Sequence, residues 1–124
     1  MADERDEPGR RSPRLPIRMD ATLLGRSRRG VTAVELSLTG CLVLCDSPLD
    51  RGAILDLEFA IQDEPLAAKV RVSQTSIEGG QPPGHPPRYL TGLEFLALPA
   101  KDEARLRRFL EERRRRKSAD ALSE

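Results

Sequence analysis

Apolar and polar residues alternate along most of this chain, with the period of two that is typical of strands buried on one side. In the first such segment, Leu15, Ile17 and Met19 alternate with Pro16 and Arg18. Six segments have this strand character: residues 15–23, 31–36, 41–45, 53–61, 66–72 and 89–96. The alternation therefore predicts a protein built mainly from strands that share one apolar core.

Polar turns separate the predicted strands and are mostly short enough to join antiparallel neighbours. Residues 25–30 form an arginine-rich turn, residues 37–40 a second one and residues 62–65 a hairpin. We expect Gly40 to have a positive φ in its turn. Because closure of a sheet removes its exposed edges, the sequence predicts an all-β fold, a six-stranded antiparallel barrel.

The pattern changes after Pro99 to a spacing of three and four residues, which is typical of an amphipathic helix. Leu106, Phe109 and Leu110 make its apolar stripe, and the basic run 113–117 favours its carboxyl end. The sequence therefore predicts a C-terminal α-helix that covers one mouth of the barrel. The proline- and glycine-rich residues 76–88, around His85, indicate an exposed loop.

The 124 residues suffice for one domain, which we expect to span residues 10–117. Residues 1–9 are charged and almost without apolar side chains, and we expect a disordered leader there. Residues 118–124 are expected to be a disordered tail. With a net charge of +1 and no apolar stretch of about 20 residues, we expect a cytoplasmic protein without membrane insertion.

The chain has no evident catalytic set. Its one histidine, His85, lies in the predicted loop, and the sequence has neither a phosphate-binding glycine loop of the Walker type nor a CxxC metal motif. Cys41 and Cys45, in one predicted strand, have Cα atoms about 13 Å apart, too far for a disulfide, and we expect buried thiols. We therefore expect a protein that is not an enzyme and needs no cofactor or metal.

An arginine cluster and a polar turn form the candidate site. Its residues are Arg10, Arg11, Arg14, Glu35, Ser37 and Gly40. A planar guanidinium pairs bidentately with phosphate or with the O6 and N7 edge of guanine. Composition alone favours a solubilising arm for the arginines, and Ser37 and Gly40 could act only in the turn.

These residues resemble the motifs of the PilZ domain family, bacterial receptors for cyclic di-GMP. Arg10 and Arg14 correspond to its RxxxR motif, and Glu35-x-Ser37-x-x-Gly40 to its [D/N]xSxxG motif, with Glu35 in place of Asp or Asn. The segments 14–18, 49–52 and 91–95 extend the similarity. The resemblance implies a barrel of the split-barrel type, with cyclic di-GMP held by Arg10 and Arg14, less directly by Arg11, and by the turn.

The resemblance implies that the arginine arm, residues 10–14, closes over cyclic di-GMP and changes the surface offered to a protein partner, which the sequence does not identify. The alternative is a degenerate domain that Glu35 prevents from binding the ligand, acting as an interaction adaptor in motility or polarity regulation. A nucleic-acid binder using residues 113–117 is disfavoured because Phe59, Tyr89 and Phe95 are predicted core residues, which leaves little to stack on bases. We therefore expect no nucleic-acid partner.

Overall fold

A computed structural model describes residues 14–79 and 82–122, and its strands close into one antiparallel barrel. The elements are β1 (Leu15–Leu24), β2 (Arg28–Leu36), β3 (Gly40–Cys45), β4 (Ile54–Ile61), β5 (Glu64–Ile77), β6 (Tyr89–Ala97) and α1 (Ala100–Leu122). Around the barrel the order is β1-β2-β3-β6-β5-β4. The predicted six-stranded antiparallel barrel with a C-terminal helix is confirmed.

Several element boundaries differ from those that the sequence predicts. β2 begins at Arg28, which pairs with Leu24, so the arginine-rich turn is shorter than predicted. β5 continues to Ile77, because its last residues pair with β6, and the loop after it is correspondingly shorter. The helix α1 runs to Leu122 and so includes residues 118–122, where the sequence predicts a disordered tail. The predicted leader, residues 1–9, lies outside the described residues.

The core of the barrel consists of the inward positions of the alternating segments. Leu57, Val70 and Leu93 are almost completely buried, as the period of two predicts. Leu106 and Leu110 of α1 are also buried and belong to the same apolar cluster. The helix therefore covers one mouth of the barrel, as predicted from its apolar stripe.

Arg105 fastens α1 to the hairpin between β4 and β5. Its guanidinium donates hydrogen bonds of 2.9 Å to the carbonyl oxygens of Pro65 and Glu64. It also pairs with Asp102, one turn earlier in the helix, at 3.1 Å. Among the described residues, no helix combines the length and the apolar character that a membrane span requires.

Candidate functional site

A groove of about 200 Å³ lies on the outer face of the barrel, beside the turn between β2 and β3. The sheet register builds it from two neighbouring rows of residues that pair across the strands. One row is Glu35, Leu42, Gly92 and Gln74, on β2, β3, β6 and β5. In the other, Gly40 pairs with Glu94, and Glu94 with Arg71. Segments far apart in the sequence therefore meet in one groove.

Two glycines lie in the floor of the groove, where neighbouring atoms leave no room for a side chain. A Cβ on Gly40 would overlap the carbonyl oxygen of Leu93 and lie 3.3 Å from the Cα of Glu94. A Cβ on Gly92 would lie 2.7 Å from the Oγ of Ser73. The expectation of a positive φ at Gly40 is wrong, since its backbone is not in the left-handed region. Close approach of the β6 backbone is what requires a glycine at this position.

The turn between β2 and β3 is held together by the hydroxyl group of Ser37, which is buried. Its oxygen accepts hydrogen bonds from the backbone N–H groups of Thr39 (3.1 Å) and Gly40 (3.2 Å). The hydroxyl also lies 3.2 Å from the carbonyl oxygen of Gly40, to which it can donate. A hydroxyl has one donor and two acceptor positions, so the turn uses the full capacity of Ser37. Ser37 therefore fixes the shape of the turn.

Arg14 and Glu35 form an ion pair at the edge of the groove. Arg14 directly precedes β1, and the pairing of Pro16 with Glu35 brings the two side chains to the same face. The Nη1 of Arg14 lies 3.7 Å from the Oε1 of Glu35, and their side chains are 65% and 37% exposed. An ion pair this exposed is worth about 1 kcal/mol or less, so a ligand can separate its members.

The far side of the groove is formed by residues that the sequence did not indicate as site residues. Val72 pairs with Leu93 and Gln74 with Gly92, so Ser73 is the extra residue of a β-bulge. Ser73 and Gln74 are exposed and line the groove. Only a prediction of how β5 pairs with β6 could have found them, because their neighbours in sequence carry no motif.

Glu94 also lines the groove and is fixed by Arg71. The Nε and Nη2 of Arg71 donate to the Oε1 of Glu94 at 3.3 and 3.1 Å. Glu94 and Gly92 belong to the 91–95 segment that resembles the PilZ family, but nothing in that segment indicated a place in the site. The described lining of the groove thus contains one arginine, Arg14, and two glutamates, Glu35 and Glu94.

Of the six predicted site residues, Arg14, Glu35, Ser37 and Gly40 line this one groove. Arg10 and Arg11 lie outside the described residues, so their role stays a prediction. The four come from the residue before β1 and from residues 35–40, around the turn between β2 and β3, and antiparallel pairing of these strands explains why they are neighbours. Their proximity is the main structural feature of the candidate site.

The two cysteines carry free thiols; Cys45 is buried as expected, whereas Cys41, which lines the groove, is only half-buried. Cys41 lies at the groove, where burial and, to a smaller extent, Cys45 raise the pKa of its thiol to about 12. Burial also raises the pKa of Cys45, whose Sγ lies 3.7 Å from the hydroxyl oxygen of Thr91. Within the described ranges, no group of histidine, cysteine or acidic side chains could hold a metal ion.

The family model of the PilZ domain matches residues 8–112 of this chain. No curated protein sequence matches the chain. Among solved structures, the PilZ domain of YcgR from Escherichia coli with cyclic di-GMP has a TM-score of 0.70 at 20% identity, over 89% of this chain and 96% of that one.

Two longer solved proteins have a similar fold. The inhibitor of motility MotI from Bacillus subtilis has a TM-score of 0.68 at 17% identity, over 86% of this chain and 51% of its own. MrkH from K. pneumonia, in complex with cyclic di-GMP, has a TM-score of 0.70 at 17% identity, over 89% of this chain and 54% of its own. The chain therefore spans about half the length of these two proteins, and at these identities the similarity concerns the fold.

Proposed function

This chain belongs to the PilZ domain family, and from that premise we propose that it is a receptor for cyclic di-GMP. The observation that carries the proposal is the groove in which Arg14, Glu35, Ser37 and Gly40 meet, since these residues correspond to both motifs of the family. The solved PilZ domain of YcgR and the solved MrkH complex, which have the same fold, contain this ligand.

The groove provides the groups that guanine needs. The guanidinium of Arg14 can donate to the O6 and N7 acceptors of the base. The carboxylate of Glu35 can accept from the N–H groups of its opposite edge. Gly40 has no side chain that would obstruct the flat base, and Ser37 fixes the shape of the turn beside it. Because the described lining has two glutamates for one arginine, the phosphates need further cations, which the arginine arm supplies through Arg10 and Arg11.

We infer that ligand binding changes the position of the arginine arm and so the surface that the domain offers to a protein partner. Arg14 is the last residue of the arm and directly precedes β1, so a ligand that draws Arg14 away from Glu35 also moves the arm. The signal is a change of position, without a chemical reaction. The protein acts in this proposal as a cytoplasmic receptor and adaptor.

Isothermal titration with cyclic di-GMP and cyclic di-AMP tests this function. The protein is expected to bind the guanine ligand and not the adenine ligand, whose amino donor replaces the O6 acceptor. Arg14→Ala should abolish the binding or weaken it at least about tenfold, because it removes a charge-assisted contact. Arg26→Ala, in the turn at the far end of β1, is the matched control and should bind normally. Equal affinity of the Arg14 and Arg26 variants would contradict the proposal.

A second candidate function is an adaptor that has lost the ligand. The Arg14–Glu35 ion pair favours it, because both groups that would meet guanine are engaged with each other. In this case the barrel contacts a partner protein, for example in motility or polarity regulation, whether or not cyclic di-GMP is present. Absence of binding by the natural chain and by the Glu35 variants described in the Discussion would favour this function.

A further inference from the structure

A second arginine–glutamate pair lies beside the same groove. Arg71 and Glu94, on β5 and β6, are 3.1 Å apart between Nη2 and Oε1. Glu35 and Glu94 are separated by β3 and lie in neighbouring rows, so two strand spacings, about 10 Å, lie between their strands. Each glutamate that lines the groove thus has its own arginine, Arg14 for Glu35 and Arg71 for Glu94.

The second pair lies beside hydrogen-bonding groups that no described residue uses. The Nε and Nη2 of Arg71 both donate to Oε1 of Glu94. Among the described residues, Oε2 of Glu94 has no hydrogen bond, and neither has the side-chain amide of Gln74, which lines the groove next to it. A carboxylate oxygen accepts, and an amide both donates and accepts. Together they match the N–H groups and the carbonyl oxygen on the edge of a guanine.

We propose that Glu94, Gln74 and Arg71 form a second base subsite, which recognises the second guanine of the same cyclic di-GMP molecule. This inference rests on the proposed function, because it assumes that the first guanine lies between Arg14 and Glu35. Cyclic di-GMP carries two identical bases on one ring of two phosphates, so a groove with two arginine–glutamate pairs matches both of its ends. Glu94 keeps phosphate away by repulsion, so the phosphates lie nearer the arginine arm.

The floor between the two pairs suits a planar base. Leu42 and Gly92 pair directly across β3 and β6 on the outer face, which places an apolar side chain beside a residue that has none. The missing side chain of Gly92 leaves the space that the Oγ of Ser73 and the stem of Gln74 occupy, 2.7 and 3.4 Å from where its Cβ would be. The bulge at Ser73 therefore brings the amide of Gln74 over the groove.

A cyclic dinucleotide with one guanine and one adenine, here the mixed ligand, tests whether the groove has one base subsite or two. Its guanine can occupy the first subsite. Its adenine presents to the second an amino group, from which the Glu94 carboxylate can accept, and an unprotonated N1, which repels the carboxylate where guanine offers a further N–H group. The natural chain should bind cyclic di-GMP roughly five- to 150-fold more tightly than the mixed ligand, the range typical of one bidentate base contact.

The variants Glu94→Gln and Gln74→Ala should lose most of this preference while still binding cyclic di-GMP. Glu58→Gln, at an exposed outward position of β4, is the matched control and should keep the preference. A thermal melt of each variant verifies that the barrel is folded. Binding of cyclic di-GMP and the mixed ligand with equal affinity, but not of cyclic di-AMP, would overturn the second subsite and leave the receptor intact. Absence of binding to any of the three ligands would overturn both.

Discussion

The backbone of Gly40 lies directly against the carbonyl oxygen of Leu93 on the neighbouring strand, in the space that a Cβ on residue 40 would occupy. Neither partner can easily retreat, since Leu93 is a core residue and Gly40 is joined to the Ser37 turn. The glycine of the second motif therefore serves the packing of β3 on β6. It also keeps the groove open where the base of a ligand would approach.

Gly40→Ala should destabilise the protein by about 1 to 3 kcal/mol, the usual cost of forcing an added carbon into a packed site. Gly30→Ala is the matched control, because a Cβ on Gly30, also in a strand, would have no neighbour within 4 Å. That variant should be neutral or slightly stabilising, since alanine loses less conformational entropy than glycine on folding. Urea denaturation of both variants measures the difference. Equal midpoints would refute the close approach at Gly40.

Arg105→Lys should loosen the attachment of α1 to the barrel. The planar guanidinium reaches the carbonyl oxygens of Pro65 and Glu64 at once, whereas a lysine ammonium is a single point and cannot reproduce the fork. The Arg105 side chain is only 18% exposed, so we expect a loss of about 1 to 3 kcal/mol in unfolding free energy.

Hydrogen exchange of the α1 amides, compared with urea denaturation, tests this attachment. Arg107→Lys is the control, because Arg107 forms only an exposed pair with Glu103, 3.3 Å apart, which contributes about 0.5 kcal/mol at most. Faster exchange in α1 is expected for the Arg105 variant alone. The same exchange rates in both variants would mean that Leu106 and Leu110 hold the helix without help from Arg105.

The core could be predicted from the sequence because its signal is local. Every second residue of a strand faces the same side, so the positions of Leu57 and Val70 follow from their own neighbours in sequence. The same holds for Leu106 and Leu110, which follow a helical period. These residues are buried as predicted.

The far side of the groove could not be predicted, because it depends on the strand register. Gln74 reaches the groove only because Ser73 is bulged and Gly92 is its partner on β6. Glu94 lies there because β6 is inserted between β3 and β5 in the barrel order. Gly40 is a different case. The sequence predicts its place in the site correctly, but the predicted reason for a glycine there, a positive φ, is wrong. A turn glycine suggests a positive φ, and only the neighbouring strand reveals a steric requirement.

The thiol of Cys41 should be unreactive at neutral pH. With its pKa raised to about 12 by burial and by Cys45, the thiolate is a very small fraction of the thiol near pH 8. Because the unfolded chain has the lower pKa, it releases this proton first, and the folded state should lose stability as the pH rises from about 9 towards 12. Mass spectrometry after iodoacetamide treatment should detect little modification of Cys41 in the native protein and complete modification in urea. Rapid modification of the native protein near pH 8 would contradict the burial of this sulfur.

Glu35→Asp bears most directly on the function. In the natural chain the Arg14 guanidinium lies 3.7 Å from the Glu35 carboxylate, so a ligand must separate the two groups before it can use either. Aspartate is shorter by one methylene and restores the residue that the motif of the PilZ family contains. The shorter side chain draws the carboxylate back towards β2, which weakens its hold on Arg14.

We expect Glu35→Asp to bind cyclic di-GMP about fivefold more tightly than the natural chain, which corresponds to about 1 kcal/mol, the upper value for an exposed ion pair. Glu35→Gln also removes the ion pair with Arg14 but loses the carboxylate that accepts from the N–H groups of guanine, so it should keep only the part of the preference for guanine over adenine that Arg14 provides. Glu58→Asp, an exposed Glu-to-Asp change on β4, is the control and should have no effect. Titrations of the four proteins with cyclic di-GMP and cyclic di-AMP measure both quantities. Weaker binding by Glu35→Asp would mean that the longer glutamate is itself the better partner for the base, and no binding by any of the proteins would leave only the adaptor.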